Sequence, residues 1–176
     1  MAKYKLIVVL IIHLITTSAL GHIKVKETIN FNIKNSDVEV CFTPPSGCTD
    51  VIVNQIENAK ESIFVQAYGF SSKPIVDSII NAHLRGVKVN VILDRSNLIQ
   101  RYSKLKDLKG AGIETSIDKV PGIAHNKVMI IDEHIVITGS FNFTDGADKR
   151  NSENVIIIDN KELSSYFLKN WYSRKK

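Results

Sequence analysis

Two adjoining apolar segments, residues 125–132 and 135–142, constrain the fold more than any other part of this chain. Both are rich in β-branched residues, and only two residues separate them, which predicts a β-hairpin with a tight turn. Side chains alternate between the two faces of a strand, so His125 and Lys127 share one face while Val128 lies on the other. Because an imidazole and an ammonium are costly to bury without partners, this strand predicts a functional site.

Three further polar residues follow the hairpin closely in the sequence. Ser140 and Asn142 leave the second strand two residues apart, and Glu153 precedes the apolar run 155–158. An imidazole can attack phosphorus or transfer a proton near neutral pH, and an ammonium binds phosphate oxygens. Hydroxyl and amide groups stabilise developing charge, and a carboxylate bonded to a ring nitrogen fixes the tautomer of an imidazole. Together these groups predict chemistry on a phosphodiester.

These residues resemble, in type and spacing, the HKD motif of the phospholipase D superfamily. The matching positions are His125, Lys127, Asp132, Gly139, Ser140, Asn142 and Glu153. The resemblance extends over residues 38–171 and is strongest to the short members with a single motif. Those members are small secreted bacterial phospholipases D and similar periplasmic endonucleases. The resemblance implies hydrolysis through a covalent phosphohistidine, with no metal or other cofactor because paired lysines and histidines neutralise the charge.

The resemblance also implies a role for most of the matching side chains. His125 is expected to be the nucleophile in one subunit and the acid or base in the other. Lys127 and Asn142 are expected to hold the phosphate oxygens, with help from Ser140. Glu153 is expected to orient the imidazole ring of His125.

Asp132 is the member of the motif whose role the resemblance defines least. It is expected among the catalytic residues because it belongs to the signature. At the end of a strand, however, its carboxylate could mainly fix local structure, either through Lys127 or through the turn.

One motif supplies one imidazole, whereas hydrolysis through a phosphohistidine needs two groups that handle protons. The chain has other histidines, but they are poorly placed: His13, His22, His83 and His134. A two-fold homodimer that brings two copies of His125 together is the simplest solution. The resemblance to single-motif members implies the same arrangement, so we expect a homodimer with a shared site.

The N-terminal segment predicts export. Two lysines precede an apolar run at residues 6–15, and a small-residue site follows, which is the order of a secretory signal peptide. The run is short for a membrane span, which needs ~20 residues, although an uncleaved anchor is the alternative. We expect a signal peptide at 1–21, a linker at 22–37 and a catalytic domain at 38–176, in a secreted or periplasmic protein.

Two cysteines, Cys41 and Cys48, flank a short segment that contains prolines and a glycine. In an oxidising compartment such a pair can form a disulfide, and two unrelated free thiols are the alternative. Zinc binding is not expected, because no second pair of Cys or His residues lies nearby in the sequence.

Apolar strands that alternate with helical segments predict an α/β fold in a single domain. We expect a mixed, mostly parallel sheet with helices on both faces. Besides the hairpin, strands are predicted at 38–42, 62–70, 87–93, 113–117 and 154–159, and helices at 49–61, 74–84 and 161–174. A further helix is predicted from the helical spacing of Leu98, Tyr102, Leu105 and Leu108.

The motif recognises a phosphodiester and therefore does not separate substrates. A phosphatidylcholine-like lipid at a membrane surface is the first expectation, and DNA cleaved by a non-specific endonuclease is the alternative. A non-catalytic phosphate- or membrane-binding module is a third hypothesis, against which the presence of both His125 and Glu153 argues.

The charge of the chain permits anionic partners without requiring them. The net charge is +5, and it falls to +3 when the two lysines of the first 21 residues are left out. A basic stretch could track a polyanion, although a solvated helix face is favoured: Arg95, Arg101, Lys104, Lys106 and Lys109.

Overall fold

The computed structural model describes residues 36–175, which form a seven-stranded sheet and five α-helices. The strands are β1 (Asp37–Thr43), β2 (Ser62–Ala67), β3 (Lys88–Asp94), β4 (Glu114–Asp118), β5 (Lys127–Ile131), β6 (Ile135–Gly139) and β7 (Glu153–Asp159). The helices are α1 (Cys48–Asn58), α2 (Lys73–Leu84), α3 (Leu105–Gly110), α4 (Asp145–Lys149) and α5 (Lys161–Arg174). The predicted signal peptide and most of the predicted linker lie outside the described residues. None of the helices in residues 36–175 is both long and apolar enough to cross a bilayer.

The strands are ordered β1-β7-β6-β5-β2-β3-β4 in one mixed sheet, which confirms the predicted α/β class. The expectation that the sheet is mostly parallel is wrong. Parallel pairing is limited to β2 with β3 and β3 with β4, and the other four pairings are antiparallel. The tight turn between β5 and β6 imposes antiparallel pairing on that hairpin, whereas the order of strands and helices along the chain does not specify which of the other strands become neighbours.

Helices cover both faces of the sheet, as predicted. Every residue of β2 is buried, which places this apolar strand in the middle of the fold. Residues from α1, α2 and α3 form the larger core on one face. On the other face α5 packs Trp171 against Phe64, with ring centroids 5.1 Å apart, and the Trp171 indole N–H donates to the carbonyl oxygen of Val65 at 2.8 Å.

The helix predicted from Leu98 to Leu108 is not continuous. A single 3₁₀ turn occupies Arg95–Leu98, and α3 begins only at Leu105. Leu105 and Leu108 are buried, whereas Leu98 and Tyr102 are exposed. Helical spacing alone therefore selected four residues of which the fold buries two. The five-residue helix α4 was not predicted.

Cys41 and Cys48 form a disulfide with Cα atoms 5.7 Å apart. The bond joins the edge strand β1 to the first residue of α1. At the same corner Asp148 Oδ1 accepts hydrogen bonds from the backbone N–H groups of Gly47 and Thr49, each at 3.1 Å. The helix begins at Cys48, one residue before the predicted start at 49.

Asp132 begins the turn between β5 and β6, at the far end of β5 from His125 and roughly 20 Å from it along the strand. Its carboxylate accepts hydrogen bonds from three backbone N–H groups, those of Lys60 at 2.8 Å, Glu61 at 2.7 Å and Ser62 at 2.9 Å. The backbone of Asp132 is left-handed, with φ of 51°. This position corrects the expected catalytic role of Asp132: the residue fixes the entry of β2, and it does not pair with Lys127.

We predict that Asp132→Ala destabilises the fold by about 1–3 kcal/mol, because three backbone donors lose a charged acceptor. Turnover per folded molecule is expected to be unchanged. Asp132→Asn serves as the control, since asparagine tolerates the left-handed backbone and keeps one acceptor oxygen. Urea unfolding and steady-state kinetics measure the two effects, and a loss of turnover at unchanged stability would return Asp132 to the chemistry.

Candidate active site

One end of the sheet gathers five of the six residues predicted to carry the chemistry or bind the substrate. Neighbouring antiparallel strands run in opposite directions, so the start of β5, the end of β6 and the start of β7 meet. The C-terminal end of β2 lies beside them, since Ala67 pairs with the first residue of β5. We call this region the active-site end; its predicted members are His125, Lys127, Ser140, Asn142 and Glu153.

Lys127 is the buried charge among the predicted members of the active-site end, with the residue 7% exposed. Its Nζ donates to the carbonyl oxygen of His125 at 3.0 Å and lies 5.3 Å from the centroid of the Tyr68 ring. Burial lowers the pKa of Lys127, and the negative charge of Glu153 acts against that shift. A partly desolvated cation of this kind interacts strongly with an anionic ligand.

The carboxylate of Glu153 is held by neighbours other than His125. Ser140 Oγ donates to Glu153 Oε2 at 2.6 Å, and Asn151 Nδ2 donates to Oε1 at 2.9 Å. Within residues 36–175 no hydrogen bond joins Glu153 to the His125 ring, so the expected orienting contact is absent from this arrangement. Glu153 instead fixes Ser140, whose Oγ also accepts from the backbone N–H of Asn154 at 3.1 Å.

Two glycines allow the polar loop after β6 to pack closely. Gly139 has φ of +149°, and a Cβ there would lie 2.2 Å from the carbonyl oxygen of Asn154. A Cβ at Gly69 would lie 3.3 Å from Oδ1 of Asn142. That oxygen is buried and has no hydrogen-bond partner among the described residues, which is uncommon for a buried polar group. Phe141 and Phe143, on either side of Asn142, are buried in the core.

Tyr68 lies beside His125 in the structure, a position that could not be predicted from the sequence. Its ring centroid lies 4.7 Å from that of His125. The backbone N–H of Tyr68 donates to the carbonyl oxygen of Asn126 at 2.8 Å, and its own carbonyl oxygen accepts from Asn97 Nδ2 at 2.7 Å. Tyr68 directly follows the buried strand β2, so knowing that β2 pairs with β5 would have located it. The ring supports one side of the imidazole.

No group of three or more His, Cys, Asp or Glu side chains within residues 36–175 could hold a metal ion. The polar groups at the active-site end are one imidazole, one ammonium, one amide, one hydroxyl and one carboxylate. Their open arrangement beside buried Lys127 can bind the two non-bridging oxygens of a phosphodiester and leaves an imidazole next to them.

An α/β sheet that presents a histidine and a buried lysine at one end is suited to chemistry on a phosphodiester. Residues 52–173 match the family described as "Cardiolipin synthase, PLD-like domain". The chain therefore belongs to the phospholipase D superfamily.

Similar proteins agree with this assignment. The chain is 57% identical over 157 residues to a protein of Rickettsia conorii named phospholipase D, which covers 89% of this chain and 78% of that one. Human mitochondrial cardiolipin hydrolase is 36% identical over 110 residues, which is 62% of this chain and 44% of the other. The crystal structure of Nuc, a phospholipase D family member from Salmonella typhimurium, superimposes with a TM-score of 0.75 at 35% identity, covering 79% of this chain and 93% of Nuc.

We predict that Lys127→Met leaves the protein at least as stable as the wild type at neutral pH, because methionine has a side chain of similar length and the substitution removes a buried charge. Activity is expected to fall by about 10²–10³-fold or more, since the cation no longer meets the phosphate. Urea unfolding and turnover measured on the same preparation check the two expectations.

The pH dependence of stability gives a further readout for this variant. Between the lowered pKa of Lys127 and its ordinary value of 10.5, the unfolded chain keeps a proton that the folded chain has released. The free energy of unfolding attributable to this group therefore rises with pH in that interval. The rise is expected to disappear in Lys127→Met and to persist in Lys109→Met, an exposed control; equal behaviour of the two variants would contradict it.

Proposed function

We propose that this protein is a secreted phosphodiesterase that acts through a covalent phosphohistidine at His125, in a site shared by two subunits. The best-supported reaction is that of a phospholipase D, which converts a phosphatidylcholine-like lipid to phosphatidate and a free head group. The observation that carries the proposal is that the imidazole of His125 and the buried ammonium of Lys127 lie against the same Tyr68 ring, 4.7 Å and 5.3 Å from its centroid. That pair supplies a nucleophile and a phosphate-binding cation within one site.

The reaction has two steps that balance with water as the only co-reactant. A ring nitrogen of His125 attacks phosphorus, and the bond from phosphorus to the head-group oxygen breaks as the second imidazole of the dimer donates a proton to that oxygen. The second imidazole then takes a proton from water, whose oxygen attacks phosphorus and breaks the phosphorus–nitrogen bond. Lys127 and Asn142 hold the non-bridging oxygens throughout.

The need for a second imidazole supports a homodimer. Among residues 36–175 the other histidines are His83 on α2 and His134 in the turn between β5 and β6. His134 lies beyond the opposite end of β5, where its ring is 3.4 Å from the Asp159 carboxylate. Neither ring can protonate a leaving group at His125, so a second copy of the chain is the simplest source of one.

An apolar strip on β1 provides a surface for that second copy. Val38, Val40 and Phe42 share one face of the strand and are 45%, 47% and 65% exposed. We call these residues the dimer face. It reaches the active-site end, because Phe42 pairs with Asn154, and the Asn154 backbone N–H donates to Ser140 Oγ. A second copy that covers the Phe42 end of this strip would bring its own active-site end close to that of the first.

Export is proposed with the catalytic function. The disulfide between Cys41 and Cys48 is the structural feature that supports it, because disulfides form and persist in oxidising compartments. The signal peptide predicted from the first 21 residues supplies the route.

The substrate rests on similarity and on surface chemistry. The Rickettsia conorii relative is named phospholipase D, and its high identity to this chain favours a lipid. A groove of about 610 Å³ beside Thr144 favours a second candidate, cleavage of DNA, because a polyanion could lie along its basic lining. The lining contains five basic residues and two acidic ones, Asp107 and Asp145; the basic ones are Lys73, Arg101, Lys104, Lys106 and Arg150.

We predict that the purified protein releases choline from phosphatidylcholine vesicles, that release persists in EDTA, and that His125→Asn abolishes it. The matched control is His134→Asn, which changes an exposed imidazole at the far end of the sheet. The same preparations are assayed for nicking of supercoiled plasmid DNA. Nicking that depends on His125, without choline release, would replace the lipid with the nucleic acid. Full activity of His125→Asn on both substrates would remove the phosphohistidine.

The shared site predicts how activity responds when chains are mixed. Wild-type and His125→Asn chains are unfolded together, refolded in different ratios and assayed. If only dimers with two intact imidazoles turn over, activity follows the square of the wild-type fraction, and an equal mixture keeps about a quarter of the wild-type rate rather than about a half. A linear response would show that each chain works alone.

A further inference from the structure

Four apolar side chains are exposed on two loops that leave the active-site end of the sheet. The exposed fractions are 60% for Leu98, 88% for Ile99, 74% for Tyr102 and 59% for Ile123. We call these four residues the docking patch. Single exposed apolar residues are ordinary on a protein surface, whereas a cluster of large ones marks contact with another molecule.

The two loops of the docking patch are joined to each other. Arg95 Nη2 donates to the carbonyl oxygen of Pro121 at 3.3 Å. The Ala124 backbone N–H donates to Asp94 Oδ2 at 2.8 Å. Burial of this carboxylate acts to raise its pKa, but hydrogen bonds from the backbone N–H groups of Ser96 and Ala124 outweigh burial and lower the pKa. Ile123 therefore lies on a loop fixed at both sides to the segment that carries Leu98 and Ile99.

The patch is also fixed to the catalytic histidine. Asn97, between Asp94 and Leu98, donates from Nδ2 to the carbonyl oxygen of Tyr68 at 2.7 Å. The Tyr68 ring lies 4.7 Å from the His125 ring, and His125 directly follows Ala124. Whatever the docking patch touches is consequently held next to the phosphate-binding residues.

Cations outnumber acids around the docking patch, where Asp107 lies 3.6 Å from Lys104 and the other basic residues of the segment have no ion pair with a described acid. Residues 95–106 contain four basic residues and no Asp or Glu, and the second loop adds Lys119. Side chains that combine apolar bodies with nearby cations are suited to the surface of an anionic bilayer, where apolar groups enter the acyl boundary and cations meet the phosphates. The basic residues of the segment are Arg95, Arg101, Lys104 and Lys106.

Other occupants fit these observations less well. A nucleic acid would use the cations but would gain little from Ile99, whose side chain offers neither a hydrogen bond nor an aromatic ring for stacking. A second copy of the chain is proposed to bind the dimer face on β1, which is the opposite edge of the sheet from β4. The docking patch follows β3 and β4 and lies toward that other edge.

We propose that the docking patch inserts into the surface of an anionic phospholipid bilayer and so holds the active-site end against its substrate. The proposal rests on the lipid substrate proposed above and adds the surface that recognises the aggregated lipid. The apolar residues supply penetration, and the surrounding cations select membranes with negative charge.

The test compares Leu98→Ser/Ile99→Ser with Leu84→Ser, which changes a leucine that is 75% exposed at the end of α2. Sedimentation with vesicles of phosphatidylcholine and phosphatidylglycerol measures binding, and choline release measures turnover on vesicles and on a monomeric short-chain phosphatidylcholine. The double variant is expected to bind vesicles about tenfold or more weakly and to lose vesicle turnover in proportion. Turnover of the monomeric lipid and the melting temperature are expected to match the wild type, as are all properties of Leu84→Ser.

Charge gives an independent arm of the test. Binding of the wild type is expected to weaken when phosphatidylglycerol is omitted or when salt is raised, and Arg101→Gln/Lys106→Gln is expected to reduce this dependence. Unchanged vesicle binding by the double serine variant would overturn the proposal. A change in the oligomeric state of this variant would also overturn the proposal, because the patch would then be a subunit contact. The same holds if the variant loses binding to single-stranded DNA as much as it loses binding to vesicles.

The experiment separates this inference from the proposed function. If the wild type hydrolyses neither vesicular nor monomeric phosphatidylcholine, the lipid substrate is rejected. Vesicle binding by the wild type and the double variant still decides whether the docking patch contacts bilayers. If monomeric lipid is hydrolysed but the double variant behaves as the wild type on vesicles, the substrate stands and the docking patch is rejected.

Discussion

Burial of the Lys127 ammonium at the start of β5 is the constraint on which the rest of the structure depends. An ammonium is stable in such a place only when acceptors and negative charge lie close to it. The carbonyl oxygen of His125, the face of Tyr68 and the nearby charge of Glu153 meet that need. Each comes from a different segment, so the cation is compatible only with the sheet order that brings β2, β5 and β7 to one end. A substrate phosphate would complete the neutralisation.

Much of the fold and most of the site followed from the sequence, for identifiable reasons. Apolar runs located the buried strands β2, β3 and β5, because such strands need apolar side chains whatever their neighbours, and the alternation of residues 38–42 located the exposed edge strand β1. Residues 125–142 predicted both the hairpin and the side chains that it carries, because alternation along a strand fixes which of them share a face. The closing helix matched its predicted bounds, Lys161 to Arg174. Its start is fixed by a local contact, because the side chain of Asn160 accepts a hydrogen bond from the backbone N–H of Leu163.

The failures concern contacts between distant segments. Strand direction depends on which strands become neighbours, and the alternation of elements along the chain does not specify this, so the share of parallel pairing was overestimated. Glu153 was expected to bond to His125, but its carboxylate accepts hydrogen bonds from Ser140 and Asn151 instead. The spacing of these residues along the chain does not determine which of them meet. Leu98 and Tyr102 have helical spacing, but their side chains have no surface to pack against and are exposed to solvent.

The structure divides recognition between two surfaces of different chemistry. The active-site end offers groups for one phosphodiester and nothing that distinguishes the molecule attached to it. Choice among lipids and nucleic acids must therefore come from outside that cluster, either from the basic groove beside Thr144 or from the exposed apolar loops.

The close approach at Gly139 has a consequence for the evolution of such chains. Any side chain at this position would enter the space of the Asn154 carbonyl, 2.2 Å away, and push apart the two strands that carry Ser140 and Glu153. Substitution of Gly139 is therefore not tolerated, whereas a Cβ at Gly110 or Gly122 would meet no neighbouring atom within 4 Å. New substrate preferences are therefore expected to arise by variation of the loops around a central β6–β7 pair whose spacing stays invariant.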